Sequence, residues 1–245
     1  MYGWIPDGTR EGSLPISSFF GSTSTTDTQI TLVQFFDEIE HQGQVNACVS
    51  YATLSAFEAL RKERGSPSPK LSRYFSYYNA RLHLLGHEEF DVVDEGCRIK
   101  NFLEELQLKG CCPEEVWEDV QEHLSEKPPV SVYSDAYLYR CAEWYDINRD
   151  RVLNVKKALS SGYPIVFGTA LDETFNNIKE HGLPMPPPSH SIIGNHAMVI
   201  VGYDRDKFLV RNSWGKFWGN DGYFWMSQEW LNSSHVQDLT AITAL

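Results

Sequence analysis

The spacing of apolar residues changes partway along the chain, and this change constrains the fold more than any other feature. From Asn46 onward, apolar residues recur at every third or fourth position, which predicts a helix capped by Asn46 and ended by Gly65-Ser66-Pro67. Similar spacing predicts further helices over Ser72 to Leu85, Ile99 to Leu108 and Val152 to Leu159. The first half of the chain is therefore expected to be mainly helical.

After Lys127-Pro128-Pro129 the pattern changes to short apolar runs separated by Gly, Pro and Asp, which is typical of strands. The runs are Ile165-Val166-Phe167, Ala197-Met198-Val199-Ile200-Val201 and Phe208-Leu209-Val210. Asp204-Arg205-Asp206 predicts a hairpin turn between the last two. The fold class expected from this order is α+β.

The chain divides into three segments on these patterns. Residues 1–30 are rich in Gly, Ser, Thr and Pro and predict an irregular N-terminal arm. Residues 31–127 predict a helical lobe, and residues 128–245 predict a β-rich lobe. We expect a site in the groove between the two lobes. The arm is expected either to pack on the β-rich lobe or to occlude that groove.

Charge and hydropathy exclude two classes of partner. The chain has 33 acidic and 21 basic residues, a formal net charge of -12, so it would repel a phosphate backbone. Its longest basic cluster, Arg61-Lys62-Glu63-Arg64, lies where a helix is expected to end. The negative end of the helix dipole favours cations at that position, so the cluster needs no nucleic-acid partner to explain it. No run approaches the ~18 consecutive apolar residues of a membrane helix. We expect no nucleic-acid partner, no membrane and a monomer.

The N-terminus and the cysteines bear on location. The opening residues lack the charged leader and apolar stretch of a secretory signal, so cytoplasmic residence and export by a signal-independent route both stay open. Five cysteines make an odd set, which leaves at least one free thiol and suits a reducing compartment, although one or two bridges are compatible with it.

Cys48 is the strongest candidate nucleophile in the chain. It lies in the first turn of the helix that Asn46 is expected to cap. Unpaired backbone N–H groups and the positive end of the helix dipole stabilise a thiolate there. The competing interpretation is a small buried core residue, which is the more frequent role of a lone cysteine.

His196 and Asn212 are expected to lie on neighbouring strands. His196 stands at the mouth of one apolar strand and Asn212 at the end of the next. The Asn212 amide oxygen would accept a hydrogen bond from one ring nitrogen and leave the other nitrogen for a thiol. A structural histidine is the alternative. His41 and His190 are rival bases, but neither opens an apolar strand beside one that carries an asparagine.

Gln42 precedes Cys48 by six residues, so its side-chain amide would reach an oxyanion beside the Cys48 backbone N–H. The alternative is a surface glutamine before a turn.

The sequence gives little support for a metal site. His83 and His87 have a spacing that suits a metal on a helix, but Gly86 lies between them and no third ligand is evident. Cys111 and Cys112 are adjacent and poorly arranged to chelate one ion. We therefore expect neither a metal nor a cofactor.

Several motifs occur together in one order along the chain. They are Gln42-Gly43-Gln44-Val45-Asn46-Ala47-Cys48, Asn195-His196-Ala197, Asn212-Ser213-Trp214-Gly215, Trp218-Gly219 and Asp221-Gly222-Tyr223. In order and spacing they resemble the papain family of cysteine peptidases, and 148 positions separate Cys48 from His196, as a known rule for that family requires. Segments that resemble its bacterial branch are Tyr2-Gly3-Trp4-Ile5-Pro6-Asp7, Ser72-Arg73-Tyr74-Phe75-Ser76-Tyr77-Tyr78-Asn79-Ala80-Arg81, Asp94-Glu95-Gly96, Gly110-Cys111-Cys112-Pro113-Glu114-Glu115-Val116-Trp117 and Gly162-Tyr163-Pro164-Ile165-Val166-Phe167-Gly168.

The resemblance implies a fold, a reaction and further site residues. The fold would be papain-like, with a helical lobe packed on a β-barrel-like lobe. The reaction would be thiol-dependent endopeptidase cleavage of peptides or proteins through an acyl-enzyme at Cys48. Gly96 would pair with substrate backbone, Gly168 and Ala197 would shape the pocket that usually dominates specificity, and Trp214 would shield the base and its asparagine.

This sequence also departs from the family pattern. Val45 replaces a cysteine that usually forms a disulfide, which agrees with a reducing location or a prokaryotic origin. Asn46 replaces a glycine, and Val49 replaces the aromatic residue that normally follows the nucleophile. Two alternatives therefore stay open: a weak or inactive peptide-binding pseudopeptidase, and an acyl transferase on the same scaffold. Asp94-Glu95 is either a solvated turn or an acidic patch that faces the groove.

Overall fold

The structure is a computed structural model that describes residues 2–8, 14–16, 27–84, 92–147, 149–178 and 184–244. Within these ranges the helices are α1 (Cys48–Glu63), α2 (Arg73–Leu84), α3 (Ile99–Leu108), α4 (Val130–Ala136), α5 (Arg151–Ser160) and α6 (Gln228–Asn232). The strands are β1 (Leu14–Pro15), β2 (Gln29–Thr31), β3 (Cys141–Asp146), β4 (Ile165–Asp172), β5 (Ile192–Asp204), β6 (Lys207–Arg211), β7 (Tyr223–Ser227) and β8 (Val236–Ala244). The expected α+β order is confirmed.

The eight strands form one sheet in the order β1-β3-β8-β4-β5-β6-β7, and β2 pairs with β5. All ladders are antiparallel except β1 with β3. Register shifts in four ladders bend the strands. Within the described ranges β1 and β7 end the order without pairing to each other, since β1 has only two residues. The sheet is therefore open, and the expected barrel-like shape describes it only loosely.

Helix α1 forms the wall between the helices and the sheet. Every residue from Cys48 to Phe57 is buried, as expected for a helix enclosed on all sides. Two of its buried hydroxyls have partners: Ser50 Oγ donates to the Arg73 carbonyl at 2.6 Å, and Ser55 Oγ donates to the Ala52 carbonyl at 3.0 Å. The helix packs on β5 and β8 on one side and on α2 on the other.

The predicted cap of α1 is wrong. The N-cap residue is Ala47, which makes no side-chain capping bond, and the helix begins at Cys48. The Asn46 side chain instead donates to the Asp94 carbonyl at 2.8 Å, and the Asn46 backbone N–H donates to the Asp94 carboxylate at 3.1 Å. Asn46 therefore holds the loop that carries Asp94 at the start of α1. Because its amide binds that loop, it does not cap the helix.

The other predicted elements match the structure closely. The helix expected over Ile99 to Leu108 has those bounds, and α5 differs from expectation by one residue at each end. Helix α2 begins one residue later than expected, and its expected last residue, Leu85, lies outside the described residues. The expected hairpin turn joins β5 to β6, where Asp204 pairs with Lys207.

The arm contributes to the sheet at two places. β1 pairs with β3, and β2 pairs with β5 from Gln29 to Thr31. The Leu32 backbone N–H continues this contact by donating to the Val201 carbonyl at 2.8 Å. The Ser- and Thr-rich stretch of residues 21–26 lies outside the described residues, as does His87.

Two further findings concern the described part of the chain. None of its helices combines the length and the apolar character needed to cross a bilayer. All five cysteines are buried free thiols, so no disulfide links the lobes.

Candidate active site

Cys48 is the first residue of α1, and its side chain is fully buried at the positive end of the helix dipole. Backbone N–H groups of Ala197, Gly3 and Val49 donate to its sulfur, the first of them at 3.4 Å. Burial outweighs these donors and raises the pKa of the Cys48 thiol to about 11. In this conformation the thiol is protonated at neutral pH.

His196 and Asn212 meet as predicted. His196 Nε2 lies 2.8 Å from Asn212 Oδ1. The Ser213 backbone N–H also donates to this atom at 2.8 Å, which identifies it as the amide oxygen. Because an amide oxygen only accepts, His196 Nε2 carries the hydrogen of the neutral ring. The ring nitrogen Nδ1 therefore holds the lone pair.

The position of His196 within its strand differs from the prediction. β5 begins at Ile192, so His196 is its fifth residue and does not stand at the strand mouth. Gly194 and Asn195, which precede it, both pair with β4. Tertiary pairing overrides their weak strand propensity. Asn212 directly follows β6, as expected.

His196 Nδ1 is buried and has no hydrogen-bond partner within the described part of the chain. Buried polar atoms without partners are rare in folded proteins and often mark functional groups. Burial lowers the pKa of His196 to about 4, against the opposing effect of the Asn212 hydrogen bond. The ring is therefore a neutral base with one lone pair uncommitted.

Trp214 packs on the His196 ring, with the two ring centres 5.0 Å apart and the planes tilted by 36°. Phe175 and Trp218 pack edge-on against Trp214. Trp214 thus contacts the buried ring of His196, and Phe175 and Trp218 support Trp214; the expectation that Trp214 shields the base stays a prediction.

Gln42 lies beside the pair because two loops form a short ladder. His41 bridges Trp214, and the Gln42 backbone N–H donates to the Ser213 carbonyl at 2.9 Å. Gln42 Nε2 donates to the Val45 carbonyl at 2.7 Å, and its Oε1 accepts from Ser213 Oγ at 2.5 Å. The side chain is buried and fixed in orientation, which rules out the surface-glutamine alternative.

Residues 2–8, which we call the N-terminal segment, lie in the groove above Cys48. The Cys97 backbone N–H donates to the Gly3 carbonyl at 2.9 Å, and the Ile5 N–H donates to the Cys97 carbonyl at 3.1 Å. Trp4 thus forms a parallel bridge with Cys97 on one wall. On the other wall the Trp4 N–H donates to the Asn195 carbonyl at 3.4 Å.

The segment fits because glycines let it approach closely. A Cβ at Gly3 would lie 1.7 Å from the Asn46 carbonyl oxygen, and one at Gly96 would lie 2.1 Å from the Gly3 carbonyl oxygen. A Cβ at Gly168 would lie 2.0 Å from a Trp4 ring atom. No side chain can be added at these positions while the segment occupies the groove.

These contacts locate the expected substrate-binding residues. Gly96 and Gly168 contact the N-terminal segment, Ala197 contacts the Cys48 sulfur, and Trp214 contacts His196. The structure brings them together around the groove, and the expectation that they bind substrate stays a prediction.

Sequence reasoning missed several residues that hold the site in place. Ser213 bonds both Gln42 and Asn212, and adjacency to Asn212 was its only signal. The Tyr77 hydroxyl donates to Asp94 at 2.6 Å and accepts from the Gly96 N–H at 2.9 Å. No local pattern indicates this connection, because it joins α2 to a distant loop. Asp94 is thus half-buried and bonded rather than a merely solvated turn.

The rival candidates do not form a site. His41 accepts from the Gly43 N–H, and His190 lies on the surface near Asp172. His83 contacts two glutamates, and the described residues contain no cluster of three or more metal-ligand side chains.

The chain is similar to known cysteine proteases. The family model described as papain family cysteine protease matches residues 117–243. An uncharacterized peptidase C1-like protein of Acanthamoeba polyphaga mimivirus is 33% identical over 222 residues, which cover 84% of this chain and 69% of the relative. Ananain of Ananas comosus is 25% identical over 202 residues, which cover 78% of this chain and 52% of ananain.

A solved structure extends the likeness over the whole chain. The cysteine protease xylellain from Xylella fastidiosa superposes with a TM-score of 0.84 at 28% identity, over 100% of this chain and 96% of xylellain. The family match covers more than half of the chain, and the two lobes carry the cysteine, histidine and asparagine in the order expected from the sequence. The chain therefore belongs to the papain family of cysteine proteases.

Proposed function

We propose that this chain is a thiol-dependent endopeptidase with Cys48 as nucleophile and His196 as base. The observation that carries the proposal is the fixed tautomer of His196, whose Nε2 is bound by Asn212 while Nδ1 is left without a partner. A neutral imidazole held in this way is ready to accept the proton of a nearby thiol.

In the proposed reaction His196 Nδ1 takes the Cys48 proton, and the sulfur attacks the carbonyl carbon of a peptide bond. The tetrahedral intermediate collapses when His196 returns the proton to the leaving amine, which leaves a thioester on Cys48. Water then attacks the thioester with His196 as base, and the carboxylic acid departs as the thiol is restored.

Gln42 is proposed to stabilise the oxyanion of the intermediate together with the Cys48 backbone N–H. Its amide has two hydrogens, and the bond to the Val45 carbonyl uses one of them. Because the Val45 carbonyl only accepts, this bond fixes which end of the amide carries the hydrogens, and the Ser213 hydroxyl then donates to the other end. Fixed donors of this kind need no reorientation as charge develops.

We further propose that the N-terminal segment holds the enzyme in a blocked state. Gly3 presents its N–H to the Cys48 sulfur. Because a trans peptide holds N–H and C=O on opposite sides, the Tyr2 carbonyl faces away from the sulfur. The Gly3 carbonyl is bonded to Cys97. The segment therefore fills the groove without presenting a carbonyl carbon for attack.

The blocked state also explains the charge state of the pair. A thiolate and an imidazolium would be expected in a working enzyme of this type, whereas burial favours the neutral forms of both groups here. Departure of the segment would admit water and reverse much of this effect. A pseudopeptidase would stay inactive even after the segment has left, so turnover by an opened chain distinguishes the two.

A thiol-directed epoxide or vinyl sulfone tests the assignment on the full chain with Gly3→Ala, since the added methyl would meet the Asn46 carbonyl and displace the segment that covers Cys48. It is expected to label Cys48 in this chain, and Cys48→Ala is expected to abolish both labelling and peptide cleavage. Cys97 and Cys141 are internal controls, since both are buried and neither stands at the start of a helix. Equal labelling of either control, with cleavage surviving Cys48→Ala, would refute the proposal. Products formed with an added amine distinguish hydrolysis from acyl transfer.

A further inference from the structure

Arg211 is a buried arginine that binds the loop leading to Gln42. We call residues 36–42 the Gln42 loop. Arg211 is the last residue of β6 and is only 5% exposed. Its guanidinium donates to the Glu38 carbonyl of the loop at 2.7 Å and to the Tyr223 hydroxyl at 3.0 Å. The side chain therefore joins the end of β6 to the backbone of the loop.

The contacts of Arg211 with the loop are strong ones. A charge this deeply buried is costly unless its hydrogen bonds are satisfied, and the shorter of its two bonds goes to the Glu38 carbonyl. Hydrogen bonds from a charged donor are roughly twice as strong as neutral ones. The guanidinium also lies over the Phe36 ring, 5.2 Å from the ring centre, where the face of the ring attracts a cation. Arg211 thus binds both the backbone and an aromatic ring of the same loop.

The Gln42 loop is tied to the chain after β6 at its other end as well. The Gly215 N–H donates to the Glu40 carbonyl, and the Gln42 N–H donates to the Ser213 carbonyl, each at 2.9 Å. These two contacts fix the end of the loop that carries the oxyanion donor. The contact with Arg211 comes before them along the loop, so it fixes the direction from which the loop reaches that end.

The Gln42 loop has little packing behind it. A cavity of about 440 Å³ lies there, and its lining includes Glu38, Glu40, Arg73 and Arg211. Close packing, which holds most of a protein interior in place, therefore does not hold this side of the loop. Arg73 pairs with the Glu40 carboxylate at 2.6 Å from the helical lobe. Arg211 is the corresponding anchor from the β-rich lobe.

We propose that Arg211 is a positioning residue for the oxyanion hole and that it acts through Gln42. The inference rests on the proposed function, in which Gln42 stabilises the oxyanion. Donors of this kind are effective because they are aimed in advance at the place where charge develops. A displacement of about 1 Å can cost about a hundredfold in rate. Without the bond to Glu38 the loop would pivot about its other end, and the Gln42 amide would lose its aim.

The kinetic test uses the full chain with Gly3→Ala, whose added methyl is expected to open the groove. Arg211→Met removes both hydrogen bonds and keeps much of the apolar side chain. It is expected to lower kcat by about tenfold, with KM and the rate of Cys48 alkylation by iodoacetamide both changed by less than about twofold. Alkylation needs the thiolate but develops no charge on a carbonyl oxygen, so only a general loss of structure would lower it as well.

A double-mutant cycle tests whether Arg211 acts through Gln42. In a chain with Gln42→Ala, Arg211→Met is expected to lower kcat by less than about a further twofold, since the donor that it positions is already absent. Arg211→Lys keeps the charge and still donates to the Glu38 carbonyl, so it is expected to recover most of kcat. An equal loss of kcat with and without Gln42, or a parallel loss of alkylation, would overturn the proposal.

Arg151→Met is the matched control. Arg151 is the first residue of α5, and its guanidinium donates to the Leu231 and Ser233 carbonyls at 3.1 and 3.0 Å. The substitution therefore removes a comparable pair of bonds away from the Gln42 loop, and kcat is expected to stay unchanged. Should Arg211→Met fold poorly, Arg211→Gln takes its place, because its polar amide ends two bonds short of the guanidinium nitrogens and loses the contact with the loop.

Amide hydrogen exchange separates this inference from the proposed function, because it involves no peptide cleavage. In the Cys48→Ala chain, Arg211→Met is expected to speed exchange of the Gln42 backbone N–H by at least about tenfold, and Arg151→Met is expected to leave it unchanged. If exchange responds in this way while the opened enzyme cleaves no peptide, the proposed function fails and the positioning of Gln42 by Arg211 is supported. Unchanged exchange at Gln42 would overturn the inference, even for an enzyme that cleaves peptides.

Discussion

Gly3→Ala is the most direct perturbation of the blocked groove. The added Cβ would lie 1.7 Å from the Asn46 carbonyl oxygen and 2.4 Å from its carbon. Both are backbone atoms fixed between α1 and the Asp94 loop, so the N-terminal segment must move instead. Relief to an ordinary contact requires a shift of roughly 1.5 Å, given that buried atoms pack near van der Waals distance.

A shift of that size breaks the hydrogen bonds beside Gly3. The Gly3 carbonyl bond to Cys97, at 2.9 Å, and the Tyr2 N–H bond to Asn46, at 3.2 Å, are the nearest. Each is worth about 0.5–1.5 kcal/mol, so their loss shifts the balance between blocked and open groove by about 1–3 kcal/mol. Every 1.4 kcal/mol is tenfold, which predicts a rise of roughly fivefold to 150-fold in the open fraction.

Two assays measure the effect: kcat/KM on a peptide substrate, and the rate at which iodoacetamide alkylates Cys48 at pH 7. Both are expected to rise at least about fivefold in Gly3→Ala. Gly8→Ala is the matched control, since its added Cβ meets nothing within 4 Å and only its φ of +72° is disfavoured. Unchanged alkylation and turnover in a folded Gly3→Ala chain would refute the blocked-groove reasoning.

Three further predictions concern the base, its titration and the ion pairs beside α1. In the Gly3→Ala chain, Asn212→Ala is expected to lower kcat by about one to two orders of magnitude with little change in KM, because His196 loses the acceptor that orients it; an unchanged kcat would contradict this role. Burial holds the pKa of His196 at about 4 in the folded chain against 6.5 for the free group, so the unfolded state binds the extra proton between these values. The free energy of unfolding should therefore be highest above pH 6.5 and should fall by roughly 3 kcal/mol as the pH drops to 4. Urea titrations of His196→Gln should lack this part of the pH dependence. Arg73 is 2% exposed and pairs with Glu40 and Glu58 at 2.6 and 2.7 Å. The substitution Arg73→Met should lower the free energy of unfolding by about 3–5 kcal/mol, because it leaves two carboxylates without their partner. Lys62→Met, at an exposed pair, should lower it by at most about 1 kcal/mol.

Periodicity and local chemistry were sufficient to predict much of the site. The helix that begins at Cys48 and the neighbouring strands that carry His196 and Asn212 follow from patterns within single elements. Their meeting at 2.8 Å requires only that β5 and β6 pair as a hairpin. The prediction for Gln42 rests on its distance from Cys48 along the chain. The bridge between His41 and Trp214 holds Gln42 beside the loop that carries Asn212.

The features that escaped prediction depend on contacts between distant parts of the chain. Asn46 has the chemistry of a cap, but its amide is used by Asp94 and Tyr2 instead. Asp238 meets Trp4 from the opposite end of the sequence. No periodic pattern records a hydrogen bond across such a separation. The arm was recognised as irregular, whereas its path through the groove depends on glycines on both sides.

The buried state of Cys48 also has a consequence for oxidation. Oxidants attack the thiolate, and a thiol with a pKa of about 11 is ionised at pH 7 to only about one part in ten thousand. An ordinary cysteine with a pKa near 9 would be about a hundred times more ionised. In the proposed blocked state, the segment that fills the groove would protect the sulfur from peroxide as well as from substrate. A chain in that state would persist under oxidising conditions and keep its thiol intact until the segment leaves.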